Sequence, residues 1–305
     1  MKIAVLGPGG VGGLLAGALQ RSGEQVVVVA REATAETISA RGLRVSSVTL
    51  GEFVAHPRGV ASLEEPVDAL IVATKAAGLQ GALQRVACEP RLVLPLLNGL
   101  DHLVALRERF AAEPVLAGTI RVEADRPEPG VVIHSSPFLL VEMASRYPRA
   151  SDGMRALARA LSAAGVSVRA DWPISASSEA QVMWSKLVRL NALACTTSAY
   201  DKLLGEIRST PELRADLVGA IQEACAVGRA EGADDVDPAK ALAELERAHA
   251  TLGSSMQRDI AAGRTPELDA IPGAVLRAGE RHGLRCPTIE QLLATIRARI
   301  DAAAA

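Results

Sequence analysis

The chain has few aromatic residues and little net charge, and together these two features argue against nucleic-acid binding. Only 2% of its 305 residues are Phe, Trp or Tyr, and the formal net charge is −2. A nucleic-acid partner is not expected, because such a surface needs positive charge for phosphates and aromatic rings for stacking on bases. With 49% hydrophobic and 22% charged residues, the chain is instead typical of a globular protein of two domains.

Cysteines and long apolar runs are also scarce. The cysteines lack the paired spacing that builds a zinc site or a thiol redox centre: Cys88, Cys195, Cys225 and Cys286. We therefore expect reduced, mostly packed thiols and no metal. The apolar run after Lys2 is too short for a signal peptide or a membrane span. The expectation is a cytoplasmic protein with no membrane partner.

The first half of the chain contains an alternation of short apolar runs with longer helical stretches. The runs are apolar throughout, as buried parallel strands are: KIAVLG, QVVVVAR, DALIVATK and RLVLPLLNG. Helical spacing follows them at residues 11–19, 32–41, 76–87 and 101–110. This order predicts an α/β fold, with a Rossmann-like doubly wound parallel sheet over residues 1–172.

The pattern changes towards the end of this domain. The segments GVVIH and FLLVEM, separated by SSP, predict a hairpin, and a helix is expected near residues 151–163. From about residue 175 the strand pattern disappears, and Ala, Leu, Glu and Arg recur at helical spacing. We therefore predict an all-helical second domain over residues 173–305. Such a domain can mediate a homodimer, which is the assembly that we expect.

The segment GPGGVGG, residues 7–13, lies between the first predicted strand and the first predicted helix. Gly7, Gly9 and Gly12 fit the pattern G-x-G-x-x-G, and Gly10 lies within it. In that pattern the first glycine permits a tight turn, the second lets the backbone approach a pyrophosphate, and the third lets the helix pack on the strand. We predict a dinucleotide-binding turn; the alternative is a tight turn in another kind of α/β domain.

The end of the second predicted strand indicates which dinucleotide binds. A domain that prefers NAD has an acidic residue there, which accepts hydrogen bonds from the ribose hydroxyls, whereas this chain has Arg31. A guanidinium can bind the 2′-phosphate of NADP with charge-assisted hydrogen bonds and has no comparable partner in NAD. We therefore predict NADPH or NADP as the cofactor. The competing interpretation is that Glu32, one position later, turns inward to a ribose hydroxyl.

Lysine is rare among the 33 basic residues, and the chain has only Lys2, Lys75, Lys186, Lys202 and Lys240. Arginine does not release its proton near neutral pH, whereas a partly desolvated lysine does, so a surviving lysine is a candidate acid. The alternative is codon bias with chance survivors, which accounts for Lys2, Lys202 and Lys240.

Two of these lysines and one asparagine occupy informative positions. Lys75 and Asn98 each follow a predicted strand, at the sheet edge where parallel sheets bind ligands. The plainer interpretations are a solvated lysine and an Asn-Gly turn. Lys186 lies in the predicted helix EAQVMWSKLVRLNALA, beside Trp184 and Leu187 at the edge of the apolar stripe. It is either a lysine whose stem covers apolar surface or an acid at a domain cleft.

These motifs resemble the ketopantoate reductase family, the 2-dehydropantoate 2-reductases, over essentially the whole chain. The strongest match is SSMQRDIAAGRTPELDAIPG, which is similar to the family's Ser-Ser-Met, Asp, Gly-Arg and Glu-Leu/Ile-Asp signature. The shorter matches VAR, TKA, LNG and MWSKL occur in the family's order. The resemblance implies an oxidoreductase of pantothenate biosynthesis that reduces a 2-oxo acid with NADPH, with ketopantoate as the first expected substrate.

The resemblance also implies roles for individual residues. Lys186 would protonate the carbonyl oxygen as the general acid, and Glu267 would hydrogen-bond the substrate, help to orient the lysine and contact the cofactor. Ser255 would hold the substrate carboxylate or hydroxyl group. Asn98 and Lys75 would line the cofactor and the keto-acid end. The chemistry agrees, because a cation near a developing alkoxide stabilises the transition state more than the neutral ketone.

Three positions depart from the family's pattern. Where members commonly carry asparagine, this chain has Leu190, Ala194 and Leu252. Asn191 is the displaced candidate for binding the substrate, although one residue corresponds to a rotation of about 100° around a helix. These changes predict relaxed or redirected specificity. The alternatives are a paralogue that reduces a more apolar oxo acid or a related C=O or C=N compound, and a non-catalytic protein that senses NADP(H).

Overall fold

The computed structural model describes residues 1–304 and divides into two compact units. The first unit comprises Met1–Leu97 and His102–Val182. The second comprises Asn98–Asp101 and the chain from Met183 onward. The domain boundary between residues 172 and 173 stays a prediction, and compactness divides the chain between residues 182 and 183.

The first unit contains the strands. They are β1 (Lys2–Leu6), β2 (Gln25–Val29), β3 (Leu43–Ser47), β4 (Gly51–Ala55), β5 (Arg58–Val60), β6 (Ala69–Val72), β7 (Val93–Pro95), β8 (Ala117–Arg121), β9 (Ala124–Asp125), β10 (Val131–His134), β11 (Leu140–Ala144) and β12 (Ser167–Arg169). Five of them form a parallel sheet in the order β5-β2-β1-β6-β7. The predicted Rossmann-like, doubly wound arrangement is therefore confirmed.

Helices alternate with these strands. They are α1 (Gly10–Arg21), α2 (Glu32–Arg41), α3 (Leu79–Leu83), α4 (His102–Phe110) and α5 (Ser151–Ala163). The helix predicted over residues 76–87 is shorter than expected, because a single 3-10 turn precedes α3 and no helix continues beyond it to residue 87. The other predicted helices of this unit agree with the structure.

The central strands are apolar at every position because both of their faces are buried. On β1, Ile3 and Val5 pack into one apolar cluster, together with Leu14 of α1. Ala4 and Leu6 pack into a second cluster on the other face. Alternate side chains of one strand therefore support helices on both sides of the sheet, which is the reason for its continuous apolar pattern.

The predicted hairpin between GVVIH and FLLVEM is wrong. Strand β10 pairs in parallel with β3, in a sheet of order β4-β3-β10-β9, whereas β11 lies in another sheet of order β12-β11-β8. The segment between them connects two sheets instead of forming a turn. In the first of these sheets, β10 packs its buried Val132 against α1. A Cβ on Gly13 of that helix would lie 2.7 Å from the valine side chain.

The second unit is helical, as predicted. Its helices are α6 (Ala176–Tyr200), α7 (Leu204–Ser209), α8 (Pro211–Ala230), α9 (Pro238–Arg247), α10 (Ser255–Ala261), α11 (Ala274–Arg281) and α12 (Pro287–Ala304), and a π-helical segment, Asp269–Gly273, precedes α11. Helix α6 begins in the first unit and contains the division between the units. Its buried Trp184 packs on Gly228 of α8, where a Cβ would lie 3.1 Å from the indole ring. Within residues 1–304, no helix combines the length and the apolar composition that crossing a bilayer requires.

The cysteines are free and buried. Burial raises the pKa of Cys195 to about 12, and burial also raises the pKa values of Cys225 and Cys286 to about 11. A thiol with a raised pKa stays protonated at neutral pH and is then a poor nucleophile. These side chains therefore act as small apolar groups of the core.

Candidate active site

Asn98 connects two predicted site residues. Its side-chain oxygen accepts a hydrogen bond from Lys186 Nζ at 2.8 Å. Its side-chain nitrogen donates to Glu267 Oε2, also at 2.8 Å. Although these partners are 88 and 169 residues away in sequence, all three belong to the second unit. We call this arrangement the Lys-Asn-Glu group.

An asparagine suits the centre of this group because an amide carries both a donor and an acceptor. The ammonium of Lys186 can only donate, and the ionised carboxylate of Glu267 can only accept. The amide of Asn98 therefore satisfies both at once and gives the ammonium a fixed direction. All three residues are partly exposed, so a ligand can reach them. Chemically, the group presents an oriented proton donor with a carboxylate nearby.

Gly99 provides the backbone conformation that the group requires. Its φ of +84° lies in the left-handed region that favours glycine. A Cβ at this position would overlap the backbone oxygen of Ala270. Any other residue at position 99 would therefore keep the loop that carries Asn98 farther from the π-helical segment Asp269–Gly273.

The glycines of the turn in the first unit, residues 7–13, have different structural roles. Gly7 has a φ of +89° and makes the turn. A Cβ on Gly12 would overlap the backbone oxygen of Gly7, so α1 packs directly against the turn. Gly9, in contrast, has no heavy atom within 4 Å of the position of a Cβ. This distribution fits a turn whose second glycine faces a pyrophosphate and whose third glycine packs helix on strand.

The start of α1 fits an anion as well. The helix has neither a side-chain cap nor an acidic residue in its first turn. Its first N–H groups and the positive end of its dipole are therefore available to a phosphate. Gly10 has an additional packing role, because a Cβ there would overlap the backbone oxygen of Ala124 in β9. Its predicted contact with the cofactor stays a prediction.

The other residues predicted to bind the cofactor are exposed. Strand β2 ends at Val29, and Arg31 lies at the N-terminal cap of α2. Glu32 is exposed in the first turn of α2, where its charge offsets the helix dipole. Lys75 is exposed after β6, at the start of a 3-10 turn. Both cations are accessible to a charged ligand.

The predicted substrate contact Ser255 is exposed at the start of α10. Its neighbour Ser254 is buried, caps α10 through the backbone N–H of Gln257 and accepts a hydrogen bond from Thr197 Oγ1 at 2.9 Å. Thr197 lies on α6 within about 20° of Lys186 around the helix axis. The start of α10 is therefore tied to the same side of α6 that carries the lysine.

Asn191 lies apart from the Lys-Asn-Glu group, and its predicted contact with substrate stays a prediction. The side chain is fully buried, and its oxygen accepts a hydrogen bond from Cys195 Sγ at 3.4 Å. It follows Lys186 by five positions, which corresponds to a rotation of about 140° around the helix. The burial of its side chain and this rotation together place Asn191 in the interior of the helical unit.

Sequence reasoning missed Arg277 of α11. Its guanidinium forms ion pairs with Asp101 and Asp269, one on each of the segments that carry Asn98 and Glu267. Arginine is the common cation of this chain and Asp101 is 176 residues away, so no local pattern indicated that contact. Among the described residues, no cluster of three or more His, Cys, Asp or Glu side chains is placed to hold a metal.

Comparison with known proteins identifies the family. The family described as "Ketopantoate reductase PanE/ApbA" matches residues 3–141, and the one described as "Ketopantoate reductase PanE/ApbA C terminal" matches residues 180–300. The fold and these matches define an oxidoreductase of two units. The chain belongs to the ketopantoate reductase PanE/ApbA family, and the predicted resemblance is confirmed.

Individual relatives align over nearly their whole length. The chain is 30% identical to 2-dehydropantoate 2-reductase of Mycobacterium tuberculosis (strain ATCC 25618 / H37Rv), over 98% of both chains. It is 29% identical to the uncharacterized oxidoreductase YkpB of Bacillus subtilis (strain 168), over 97% of this chain and 98% of that one. A solved complex of D-mandelate dehydrogenase with NADH has a TM-score of 0.85 and 25% identity, with 99% of each chain covered. Proteins similar to this chain thus carry the names of more than one activity.

Two alanine substitutions separate the roles of the glycines in the turn. We expect Gly12→Ala to lower the free energy of unfolding by ~2–4 kcal/mol, because the new methyl group overlaps the Gly7 carbonyl. Gly9→Ala should cost only ~0.5 kcal/mol but weaken dinucleotide binding at least ~10-fold, because its methyl group occupies the space of the pyrophosphate. Urea unfolding and fluorescence titration with NADPH measure the two effects. Unchanged affinity in Gly9→Ala would contradict this assignment.

Proposed function

We propose that this chain reduces a 2-oxo acid to the corresponding 2-hydroxy acid with NADPH, and that Lys186 donates the proton. The observation that carries the proposal is the Lys-Asn-Glu group, which holds an ammonium in one direction at a partly exposed position. Membership of the family supports the reaction class, since its relatives include an enzyme named 2-dehydropantoate 2-reductase. The NADH complex of D-mandelate dehydrogenase supports a nicotinamide cofactor.

The reaction transfers two electrons and two hydrogens to the carbonyl group. When bound, the reduced nicotinamide supplies a hydride to the keto carbon. The electron pair of the C=O π bond moves to oxygen, where the ammonium of Lys186 stabilises the negative charge. Lys186 Nζ then gives one proton to that oxygen, and the neutral amine regains a proton from solvent. Asn98 keeps Nζ in place, and Glu267 keeps the amide in the orientation in which its oxygen accepts.

The first unit supplies the residues that would hold the dinucleotide. Gly9 and the start of α1 offer an open backbone and free N–H groups to the pyrophosphate. Arg31 is exposed next to β2 and would pair with the 2′-phosphate of NADPH. Lys75 offers a second cation after β6. An anion with several phosphates is the ligand that these groups suit.

Ketopantoate is the first substrate that we propose, and a more apolar 2-oxo acid is the second. The second is favoured by Leu190, which is partly exposed one turn after Lys186 and about 40° from it around α6. Leu252 is also partly exposed, close in sequence to the start of α10. The hydroxyl group of ketopantoate needs a polar partner, whereas an aliphatic or aromatic substituent packs well on leucine. D-mandelate dehydrogenase, whose name denotes a phenyl-substituted 2-hydroxy acid, is a structural neighbour.

Removal of the lysine tests the proposed mechanism. We expect Lys186→Ala to lower kcat by ~10²–10⁴-fold, because the proton donor and the stabilising charge are both lost. Lys240→Ala is the matched control, since Lys240 is an exposed lysine on α9. Turnover is followed by the absorbance of NADPH, with a panel of 2-oxo acids from ketopantoate to phenyl-substituted compounds, and NADPH binding is checked by fluorescence.

Each outcome of this experiment has a defined meaning. Near-normal kcat in Lys186→Ala would remove the lysine from the mechanism. Higher kcat/KM for the aromatic acids than for ketopantoate would select the second substrate class. If the unaltered protein reduces no member of the panel yet binds NADPH, a protein that only senses NADP(H) replaces the reductase.

Arg31 decides the choice between the two nicotinamide cofactors. We expect Arg31→Ala to weaken NADPH binding by ~1.5–3 kcal/mol, because the charge-assisted bonds to the 2′-phosphate are lost, and to leave NADH binding nearly unchanged. Arg41→Ala is the matched control at the other end of α2, where the arginine is also exposed. Dissociation constants come from fluorescence titration. An equal loss of affinity for NADPH and NADH would show that Arg31 does not bind the 2′-phosphate.

A further inference from the structure

Arg277 bridges the two backbone segments that carry Asn98 and Glu267. Its Nη1 donates to Asp269 Oδ1 at 2.6 Å, and its Nη2 donates to the backbone oxygen of Asp269 at 2.9 Å. Nη2 also donates to Oδ2 of Asp101. The two aspartates follow Asn98 and Glu267 closely in sequence, by three and two positions. One guanidinium therefore binds next to both ends of the Asn98–Glu267 hydrogen bond.

The geometry of a guanidinium explains what this bridge does. Its N–H donors point in fixed directions within one plane, so groups bound to it are held at a fixed separation. By binding Asp101 and Asp269 together, Arg277 limits how far the loop Asn98–Asp101 can move from the π-helical segment. The length of the Asn98–Glu267 hydrogen bond depends on that same separation.

Fold stability does not account for the bridge. The side chains of Asp101 and Asp269 are 53% and 89% exposed, and ion pairs between exposed groups contribute little to stability. Gly99 already brings the loop against the backbone of Ala270. What the ion pairs add is a restraint on movement of the loop around that close contact.

We propose that Arg277 is a positioning residue of the Lys-Asn-Glu group, which acts through Asp101 and Asp269 to hold the Asn98 amide with its oxygen towards Lys186 Nζ. Without this restraint the amide samples other orientations, and the ammonium loses a fixed acceptor. Small displacements of this kind have large effects on rate, even when every reacting group is still present. The effect on turnover rests on the proposed function, whereas the effect on Lys186 itself does not.

The reactivity of Lys186 tests the proposal without any assumption about the reaction. Because the chain has only five lysines, mass spectrometry can follow amine modification at each one. We expect Lys186 to react ~3–10-fold faster in Arg277→Met than in the unaltered protein, since its hydrogen bond to Asn98 is weakened. Arg281→Met is the matched control, because Arg281 lies on the same helix and pairs with Glu231 at 3.1 Å. Exposed Lys240 serves as the internal reference.

Combination with Asn98→Ala distinguishes positioning from a merely structural role. Asn98→Ala alone should raise the reactivity of Lys186, and adding Arg277→Met should raise it no further, because Arg277 acts through Asn98. Arg277→Lys should restore part of the protection, since an ammonium can pair with one carboxylate but lacks the planar fork that binds both. In turnover, Arg277→Met should lower kcat ~10-fold and leave the KM for NADPH unchanged.

The possible failures are distinguishable. Unchanged Lys186 reactivity in Arg277→Met, or additive effects of Arg277→Met and Asn98→Ala, would overturn the positioning role. Absence of turnover in the unaltered protein would overturn the proposed reductase activity, and the modification rates would still decide the role of Arg277. If Arg277→Met does not fold, as judged by circular dichroism, Asp101→Asn removes the ion pair with the loop and leaves the one with Asp269, and it is also expected to increase Lys186 reactivity; an unchanged reactivity would overturn the positioning role.

Discussion

One amide group is the constraint on which the candidate site depends. Asn98 accepts a hydrogen bond from Lys186 and donates one to Glu267, so it orients an ammonium while a carboxylate orients the amide itself. The amide is carried by the short loop Asn98–Asp101. This loop belongs to the helical unit, although the residues on both sides of it in sequence belong to the other unit. Gly99 makes the close approach to that unit possible, so a backbone requirement and a side-chain requirement meet in one loop.

The glycine turn shows how one residue type meets different requirements. Gly7 supplies the backbone conformation of the turn, and Gly9 faces open space that suits a pyrophosphate. Gly10, Gly12 and Gly13 are required by close packing, against Ala124, the Gly7 carbonyl and Val132. These three contacts explain why the segment contains more glycine than ligand binding needs. Helix α1 packs tightly against the turn and against the sheet that contains β9 and β10.

The sequence predicted the central sheet because strands buried on both faces leave continuous apolar runs. The smaller sheets were not predicted, since a strand such as β3 buries alternate residues and pairs with β10, which is distant in sequence. Lys186, Asn98 and Glu267 were each predicted as site residues, from strand ends, the rarity of lysine and the family resemblance. The two hydrogen bonds of Asn98 and the contact of Arg277 with Asp101 were not predicted, because partners 88 to 176 residues apart leave no local pattern. Asn191 lies apart from the Lys-Asn-Glu group, and its contact with substrate stays a prediction.

Reversal of a hydrogen bond within the Lys-Asn-Glu group tests its role most directly. Asn98→Asp removes the donor that Glu267 needs and brings two carboxylates together, so kcat for 2-oxo acid reduction should fall at least ~100-fold while NADPH still binds. Adding Glu267→Gln supplies an amide donor to the new carboxylate, and the double variant should recover at least ~10-fold of the lost turnover. A double variant no more active than Asn98→Asp alone would contradict the account, because the hydrogen bonds of Asn98 would then not control the lysine.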